Sequence, residues 1–508
     1  MRTLFSLDIK QKNRRALIEI KATPGQTSPK VRPRHKKALF AGGALACLLT
    51  PFLLVQLLLY RANLAVARES FPKAPTLRAN DRLLVFAPHC DDETIGAGGT
   101  IAEARRRGIP VRLVFFTNGD GSRSTQIAVD AQRRRRTTFV QLAKLRQQET
   151  LKAAKALGVA EKDVVFLGYP DGGTKELWLR HWQRDNLYRS SYTGASHSPY
   201  PNSRTPKAAY CGEQALADVQ GVLRDFRATV VITTHPADTH PDHQAAYEFT
   251  RAALEQLSQN PETSWATRTR LLTFLVHHGV WPAPYGYNPQ ASLVPPAALL
   301  KTGTLWMQED LDSVSRKAKK SALECYPSQL AFTPRYLRSF LRRNELFGDL
   351  PPQIAPSLER AREKQEPRSI VIDAERDSRW RDLLPAADLQ SIALLPSKDP
   401  AKSHITLRLQ TMNEPSSRLR YRLWLHNIGA EESTVSRVEI RLHNGKWKAS
   451  LRTERETQEL PLRPVARGFE IDLMREELNG TLLLSAESYL RNSRLDATGT
   501  GALRLPVS

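Results

Sequence analysis

Short apolar runs alternate with helix-like segments between residues 80 and 345. Each run ends in a polar cluster or a turn signal, and the runs are Leu83–Phe86, Val111–Phe116, Val164–Leu167, Thr229–Thr233 and Leu271–Val276. Helix-like patterns between them occupy Thr94–Arg107, a long stretch to about Leu157, and Leu216–Phe226. Strands that alternate with helices predict a parallel sheet covered on both faces. Residues 80–345 are therefore expected to form a Rossmann-like α/β domain.

The hydrophobic pattern changes after residue 369. Apolar residues there recur at every second position, as in Ile405/Leu407/Leu409 and Val438/Ile440/Leu442, and turn residues separate the runs. This pattern predicts short antiparallel strands, so we expect a C-terminal β-sandwich over residues 369–508. Residues 346–368 are rich in proline and charge, which is typical of a linker.

An uncharged apolar run, residues 38–60, precedes the α/β domain. Its length suits one bilayer-spanning helix. The tail before it, residues 1–37, is basic, and the positive-inside rule places such a tail in the cytoplasm. We therefore expect a single-pass membrane protein in which residues 61–79 link the transmembrane helix to an extracytoplasmic body.

Charge and cysteine content narrow the function classes. The formal net charge is +23, and a strongly basic chain is one indication of a protein that binds nucleic acid. However, the basic residues are spread along the chain and form no stripe interleaved with aromatic residues, so no nucleic-acid partner is expected. The four cysteines form no Cys-x-x-Cys pair, so neither a structural zinc knuckle nor a disulfide framework is indicated.

Two polar loops follow predicted strands at the same edge of the sheet. Pro88–Glu93 follows the first apolar run, and Thr234–His243 follows the fourth. In open parallel sheets ligands bind at the carboxyl ends of the strands, so these loops can converge on one site. Imidazole and carboxylate groups around an open position form the arrangement of catalytic zinc.

Spacing within the loops suggests a role for each side chain. His89 and Asp92, three residues apart, can face one ion, and His243 can complete the set from the other loop. A hydrolytic zinc site also needs a carboxylate that is not a ligand and takes the proton of the attacking water. Asp91 is the candidate for this base. His240 could lie over the substrate as a cation or a proton donor.

The two loops together resemble a known family. His89-Cys90-Asp91-Asp92-Glu93 and His240-Pro241-Asp242-His243 are similar to the signature of the PIG-L/LmbE-like zinc deacetylases, which remove the acetyl group from N-acetylglucosaminyl conjugates. Further matching segments are Thr117-Asn118-Gly119, the Arg146-x-x-Glu149 spacing and Leu167–Gly172. The resemblance covers about residues 80–345.

The resemblance implies a cofactor and catalytic roles. His89, Asp92 and His243 would hold Zn²⁺. Asp91 would be the general base, and His240 would stabilise the tetrahedral intermediate. From the mechanism we further expect His240 to hold the oxyanion in its protonated form.

The resemblance also implies a substrate class. Arg146 and Asp171 match positions that contact the sugar in relatives. The expected protein is a membrane-anchored zinc deacetylase that hydrolyses the N-acetyl group of an amino-sugar conjugate or glycan.

Cys90 departs from the family pattern, which usually has proline at this position. One interpretation makes Cys90 a small spacer in a working loop. The other makes its thiolate an additional soft ligand or a redox-sensitive switch beside the zinc. Adjacent residues seldom both point at one ion, which favours the spacer.

The sequence leaves two interpretations open for each of four other residues. His277 could line the pocket or be a structural histidine, and Tyr326 could close the pocket or end a helix. Trp424 and Trp447 could stack on a glycan or pack in the core of the sandwich.

Two rival functions remain open. The first is a non-catalytic, membrane-tethered glycan-binding protein with a decayed deacetylase domain, which the intact loop motifs disfavour. The second is a zinc hydrolase that cleaves a different amide.

Overall fold

The first strand of the sheet is apolar at every position because both of its faces are covered. In β1 (Leu83–Ala87), Val85 belongs to one hydrophobic core and Phe86 to a second core on the opposite face. Successive side chains of a strand point to opposite faces, so a strand buried on both sides reads as a continuous apolar run.

The computed structural model describes residues 54–134, 136–355, 367–373, 384–396, 404–453, 456–474, 478 and 480–505. The strands of the α/β domain are β1, β2 (Val111–Thr117), β3 (Val164–Tyr169), β4 (Val230–Thr234), β5 (Arg270–Phe274), β6 (Leu305–Asp310) and β7 (Asn344–Asp349). Its helices are α1 (Asp92–Arg106), α2 (Arg123–Arg133), α3 (Phe139–Ala156), α4 (Thr174–Leu179), α5 (Gly212–Phe226), α6 (Pro241–Gln259), α7 (Ser313–Leu323), α8 (Pro327–Leu330) and α9 (Pro334–Leu337).

These strands form one sheet in the order β3-β2-β1-β4-β5-β7-β6. The five strands from β3 to β5 run parallel, whereas β6 and β7 pair antiparallel to each other. The predicted α/β fold with a parallel sheet is confirmed. Strand order reverses between β1 and β4, which is where ligands bind in such sheets.

Two parts of the α/β domain differ from expectation. The single long helical pattern before Leu157 is two helices, because Arg134 takes a left-handed φ of 50° after α2 and Thr138 caps α3 with a capping box. The strand β7 crosses the boundary predicted at residue 345. Residues 346–349 therefore belong to the sheet, and residues 356–366 of the predicted linker lie outside the described residues.

The C-terminal region is rich in β-strands. They are β8 (Gln353–Ile354), β9 (Arg368–Ile372), β10 (Leu389–Leu395), β11 (His404–Thr411), β12 (Leu419–Ile428), β13 (Ser433–His443), β14 (Lys446–Arg452), β15 (Thr457–Leu460), β16 (Leu462–Val465), β17 (Gly468–Met474), β18 (Thr481–Leu490), β19 (Ser493–Ala497) and β20 (Gly501–Arg504). One sheet has the order β16-β17-β11-β10-β9, and the other has the order β15-β14-β13-β12-β18-β20-β8 with β19 beside β18.

The two C-terminal sheets share one hydrophobic core. Tyr421 of one sheet packs on Phe469 of the other, with ring centroids 5.3 Å apart, and Trp447 lies 4.9 Å from Phe469. Trp424, 3% exposed, belongs instead to the core that this sheet shares with the α/β domain, and its Nε1 donates to Glu487. Trp447 thus packs on the core of the two sheets, and Trp424 packs against the α/β domain.

The C-terminal region also packs directly on the α/β domain. The imidazole of His426 stacks on Trp178, with ring centroids 3.9 Å apart, and its Nε2 lies 2.8 Å from the Trp178 carbonyl oxygen. Burial lowers the pKa of His426 to about 3, so the ring is neutral and donates this hydrogen bond. On the α/β side of this interface, Lys175 of α4 forms an ion pair with Glu248 of α6.

We expect His426→Ala to lower the free energy of unfolding by about 2–4 kcal/mol. The variant loses a buried ring stack and leaves the Trp178 carbonyl without its donor, two of the mechanisms that give large effects. Urea denaturation of the full chain measures the change. His443→Ala, an exposed histidine of the same region, should stay within about 0.5 kcal/mol of the wild type. Equal stabilities of the two variants would contradict this view of the interface.

Residues 56–508 form one unit of the chain, and of the unit Met1–Val55 only residues 54 and 55 are described. Residues 38–53 of the predicted transmembrane span lie outside the described residues, and residues 54–66 are helical. Within the described part, no helix has the length and apolar character needed to cross a bilayer.

Candidate metal and active site

Three predicted ligands converge at the switch point of the sheet. The loop after β1 carries His89 and leads into Asp92, the first residue of α1, and the loop after β4 leads into His243 on the first turn of α6. His89 Nδ1 lies 3.1 Å from Asp92 Oδ2 and 3.2 Å from His243 Nε2, and His243 Nε2 lies 3.2 Å from Asp92 Oδ2. All three side chains are buried.

This triangle of donor atoms fits a tetrahedral ion. Donors about 2.0–2.1 Å from zinc lie about 3.3 Å from one another, and two imidazoles with a carboxylate are an ordinary zinc set with an open position. Although burial opposes the charge, Asp238 and Asp92 raise the pKa of His243 to about 9. The surroundings therefore favour a cation at this place.

Two alternative donor sets, neither of which includes Asp92, lie within 4.8 Å: His89 with His240 and His243, and His89 with Asp171 and Asp242. The carboxylates of the second set face His89 Nε2, at 3.3 and 3.2 Å, on the far side of the ring from Nδ1. Both carboxylates also accept backbone N–H groups. They are placed to orient the ring rather than to take the ion.

Asp238 orients the ligand His243. Its Oδ2 lies 3.1 Å from His243 Nδ1 and accepts the backbone N–H groups of Val276 and His277, while its Oδ1 accepts that of His240. Carboxylates behind metal-binding histidines fix the ring and its tautomer in this way. The contacts therefore place Asp238 behind the ligand His243.

Asp242 holds the third loop against the site. Its Oδ2 accepts the Gly172 N–H at 2.6 Å, its Oδ1 accepts the Thr174 N–H at 3.1 Å, and its Oδ2 lies 3.2 Å from His89 Nε2. Sequence reasoning gave Asp242 no role. Its place inside the His240–His243 motif was the only available signal, because the loop partners come from distant positions.

Asp91 lies beside the ligands but outside every donor set. Its φ of 125° is a strained conformation for a residue other than glycine, as is common at functional sites. Burial and the neighbouring Asp92 raise the pKa of Asp91 to about 8, although Arg146, 3.6 Å away, opposes the shift. A carboxyl group tuned toward neutral pH can act as a general base.

His240 stands over the same cluster as the N-cap of α6. Its ring lies edge-on to His89, with centroids 4.8 Å apart, and its Nδ1 accepts the Asp242 N–H at 3.2 Å. Burial and His89 lower the pKa of His240. With Nδ1 as an acceptor, the proton of the ring is on Nε2. The expected protonated form conflicts with this contact, and the geometry supports a neutral Nε2–H donor instead.

The two predicted sugar contacts both brace loops around the site. Arg146 is 3% exposed and donates to the carbonyl oxygens of Cys90, at 2.8 Å, and Gly119, at 3.3 Å. Asp171 accepts the Gly121 N–H at 2.8 Å and contacts His89. Contact of either residue with a sugar stays a prediction.

Cys90 belongs to the apolar core beneath the loop. Its side chain is fully buried, and burial raises the pKa of the thiol to about 12. A thiol that stays protonated is a poor metal ligand. The structure agrees with the spacer interpretation.

Three further residues lie at the site or beneath its loops. Tyr326 is buried and donates to Glu93 at 2.7 Å, beneath the loop rather than over a pocket. Tyr200, in the loop between α4 and α5, is 1% exposed and donates to Asp120 at 2.6 Å. His277 reaches the cluster, with its ring centroid 4.8 Å from that of His243.

Comparisons with known proteins concern the same part of the chain. Residues 84–254 match the family model described as PIG-L, GlcNAc-PI de-N-acetylase. The 1D-myo-inositol 2-acetamido-2-deoxy-alpha-D-glucopyranoside deacetylase of Mycobacterium sp. (strain KMS) is 34% identical over 197 residues, which cover 37% of this chain and 55% of that protein. The protein of the same description from Nocardia farcinica is 30% identical over 294 residues, covering 54% of this chain and 89% of the relative.

The chain thus spans about half the length of the first curated relatives that it matches. Among solved structures, a conserved protein from Thermus thermophilus is 22% identical with a TM-score of 0.34, covering 54% of this chain and 97% of the other.

Proposed function

Because this chain belongs to the PIG-L family of GlcNAc-PI de-N-acetylases, we propose that it is a zinc-dependent N-deacetylase acting on an N-acetylglucosamine-containing conjugate or glycan. One observation carries the proposal: three donor atoms 3.1–3.2 Å apart, with the carboxyl group of Asp91 beside them and outside the donor set.

Five residues perform the proposed reaction. His89, Asp92 and His243 hold the ion, which when bound supplies Lewis-acid chemistry that lowers the pKa of water and polarises an amide carbonyl. Asp91 accepts the proton of the attacking water and passes it to the departing amine. His240 donates from Nε2 to the oxyanion that develops on the carbonyl oxygen. Acetate and a free amino sugar are the products.

The test is acetate release by the purified full chain from a panel of N-acetylglucosaminyl conjugates, including N-acetylglucosaminyl-inositol. We expect acetate and free amine to appear in equal amounts with at least one conjugate. If the protein binds zinc but releases no acetate from any acetylated amino sugar, the proposal is wrong. That result would favour a glycan-binding protein or a hydrolase of another amide.

Asp238→Asn is expected to weaken zinc binding by about 10–100-fold, the usual effect of removing a partner behind a ligand. The amide presents a weaker acceptor to His243 Nδ1 and removes a charge that favours a cation nearby. Competition against a fluorescent zinc chelator measures the affinity. Asp225→Asn, which changes only a surface pair with Arg204, should bind zinc like the wild type. Unchanged affinity in Asp238→Asn would contradict the role of Asp238.

His240→Ala is expected to lower kcat by about 10²–10³-fold, as the loss of one oxyanion donor does. His240→Gln keeps a neutral N–H donor and should lose less activity than the alanine variant. Steady-state acetate release compares the two, with thermal unfolding to check that α6 keeps its cap. Equal losses in both variants would contradict the view that a neutral N–H donor at this position is sufficient.

Localisation at a membrane is also part of the proposal. The uncharged run 38–60 and the basic tail 1–37 support a single-pass anchor with the catalytic domain on the extracytoplasmic side. Protease added to intact cells should then cleave the C-terminal region. Complete protection, with cleavage only after lysis, would overturn this topology.

A further inference from the structure

A basic cavity lies between α7 and the segment around residues 287–290, and the proposed catalytic groups do not line it. It has a volume of about 300 Å³. Basic side chains dominate its wall, and among the described residues that line it none is acidic: Arg316, Lys317, Lys319, Lys320 and Arg342, with Tyr287.

Two of these cations have acidic partners. Lys319 Nζ lies 2.7 Å from Glu345 Oε1, and both side chains are buried, so this charge is neutralised inside the fold. Lys320 lies 3.6 Å from Glu324 on the exposed face of α7, a pair that contributes little.

The buried guanidinium of Arg342 is held by carbonyl groups. Arg342 is 2% exposed and donates to Ser339 O at 2.6 Å, to Asn288 O at 3.3 Å, and to Pro284 O. Burial lowers the pKa of Arg342 to about 10, against an opposing influence of Tyr60. Carbonyl oxygens satisfy the N–H groups but leave the positive charge beside the cavity.

Arg316 adds a half-buried guanidinium to the same wall. Its Nε is enclosed by protein, so its terminal nitrogens are the atoms that can meet a ligand in the cavity. Like Lys317, it brings a positive charge to the cavity.

The donor set suits a phosphate group. Arginine forks bind phosphate oxygens in pairs, and lysine adds a mobile point charge. The wall carries more positive charge than one carboxylate would neutralise. A phosphate ester carries more negative charge than a carboxylate and has several acceptor oxygens.

An apolar and aromatic surface adjoins the same segment. Tyr287 and Tyr285 are 52% and 40% exposed, and the Tyr285 N–H donates to Tyr60 Oη at 3.3 Å. Leu57 and Leu58, within one helical turn of Tyr60, are 52% and 56% exposed. In sequence, the uncharged residues 38–53 lead directly into this helix. Exposed leucines and tyrosines beside a cluster of cations are features of a surface that contacts anionic lipid.

We propose that this cavity binds the phosphate of an anionic lipid headgroup, with Arg316 and Lys317 as its principal contacts. The lipid as source rests on the membrane anchorage proposed above, whereas binding of a phosphate ester depends neither on it nor on deacetylase activity.

The test uses the full chain in nanodiscs of phosphatidylcholine alone or mixed with phosphatidylglycerol. Acetylation of Lys317 by acetic anhydride, followed by mass spectrometry, reports occupancy of the cavity. We expect a several-fold slower reaction in the anionic nanodiscs, and Arg316→Gln should reduce this protection. Lys448, an exposed lysine of β14, serves as the internal control and should react equally in both lipids.

Each other outcome overturns part of the proposal. Equal Lys317 reactivity in both lipids, with protection by added sn-glycerol 1-phosphate, would replace the lipid with a soluble phosphate ester. Protection by neither would remove the phosphate site. Acetate release, measured on parallel samples of the same protein that receive no acetic anhydride, should be the same for Arg316→Gln and the wild type, so a failed deacetylase proposal is recognised separately.

Discussion

Replacement of Asp91 by asparagine is expected to lower kcat for acetate release by about 10²–10⁴-fold, the usual contribution of a general base. Asparagine keeps the size of the side chain but cannot accept a proton from water. Because Asp91 is not one of the three proposed ligands, zinc content should stay at the wild-type level. The measurement is steady-state acetate release together with metal analysis of the same protein sample.

Asp185→Asn provides the matched control for this substitution. Asp185 is exposed in the loop after α4, and the same chemical change there should leave kcat unaltered. A normal rate in Asp91→Asn would assign the proton transfer to another group. Loss of zinc from Asp91→Asn would instead make Asp91 a ligand.

Replacement of His243 by alanine is expected to remove zinc binding and to lower kcat/KM by about 10³-fold or more. Lewis-acid stabilisation of a transition state is worth several kcal/mol, and each 1.36 kcal/mol is a factor of ten in rate. His243 is the only donor of the triangle that comes from the second loop, so its loss leaves the ion with His89 and Asp92 alone.

The fold of His243→Ala needs its own check, because the buried ring lies between Asp238 and Asp92. Circular dichroism should show native secondary structure, and His197→Ala, at an exposed loop histidine, controls for loss of an imidazole. Retention of stoichiometric zinc by a folded His243→Ala protein would contradict the proposed ligand set.

The sheet and the ligand triangle could be predicted from the sequence for physical reasons. A strand buried on both faces must be apolar throughout, so β1 and β4 are recognisable as short apolar runs. Polar residues directly after such strands lie at one edge of a parallel sheet. His89, Asp92 and His243 were therefore predictable as neighbours.

The contacts that support the ligands and the loops could not be predicted from the sequence in the same way. Asp242 acts on Gly172 and Thr174, about seventy positions earlier in the chain, and no local pattern reveals such a partner. The break between α2 and α3 depends on one left-handed residue, Arg134, in a stretch whose composition favours helix. The neutral state of His240 follows from a hydrogen bond to the backbone, which sequence does not show.

Removal and return of zinc test the central claim most directly. The purified full chain is treated with a chelator, dialysed, and assayed for acetate release from the best N-acetylglucosaminyl conjugate before and after one equivalent of zinc is added. Activity should disappear with the metal and return with a single equivalent, in the wild type but not in His243→Ala. Acetate release that persists in the metal-free protein, or that returns equally in His243→Ala, would contradict a zinc-dependent deacetylase built on His89, Asp92 and His243.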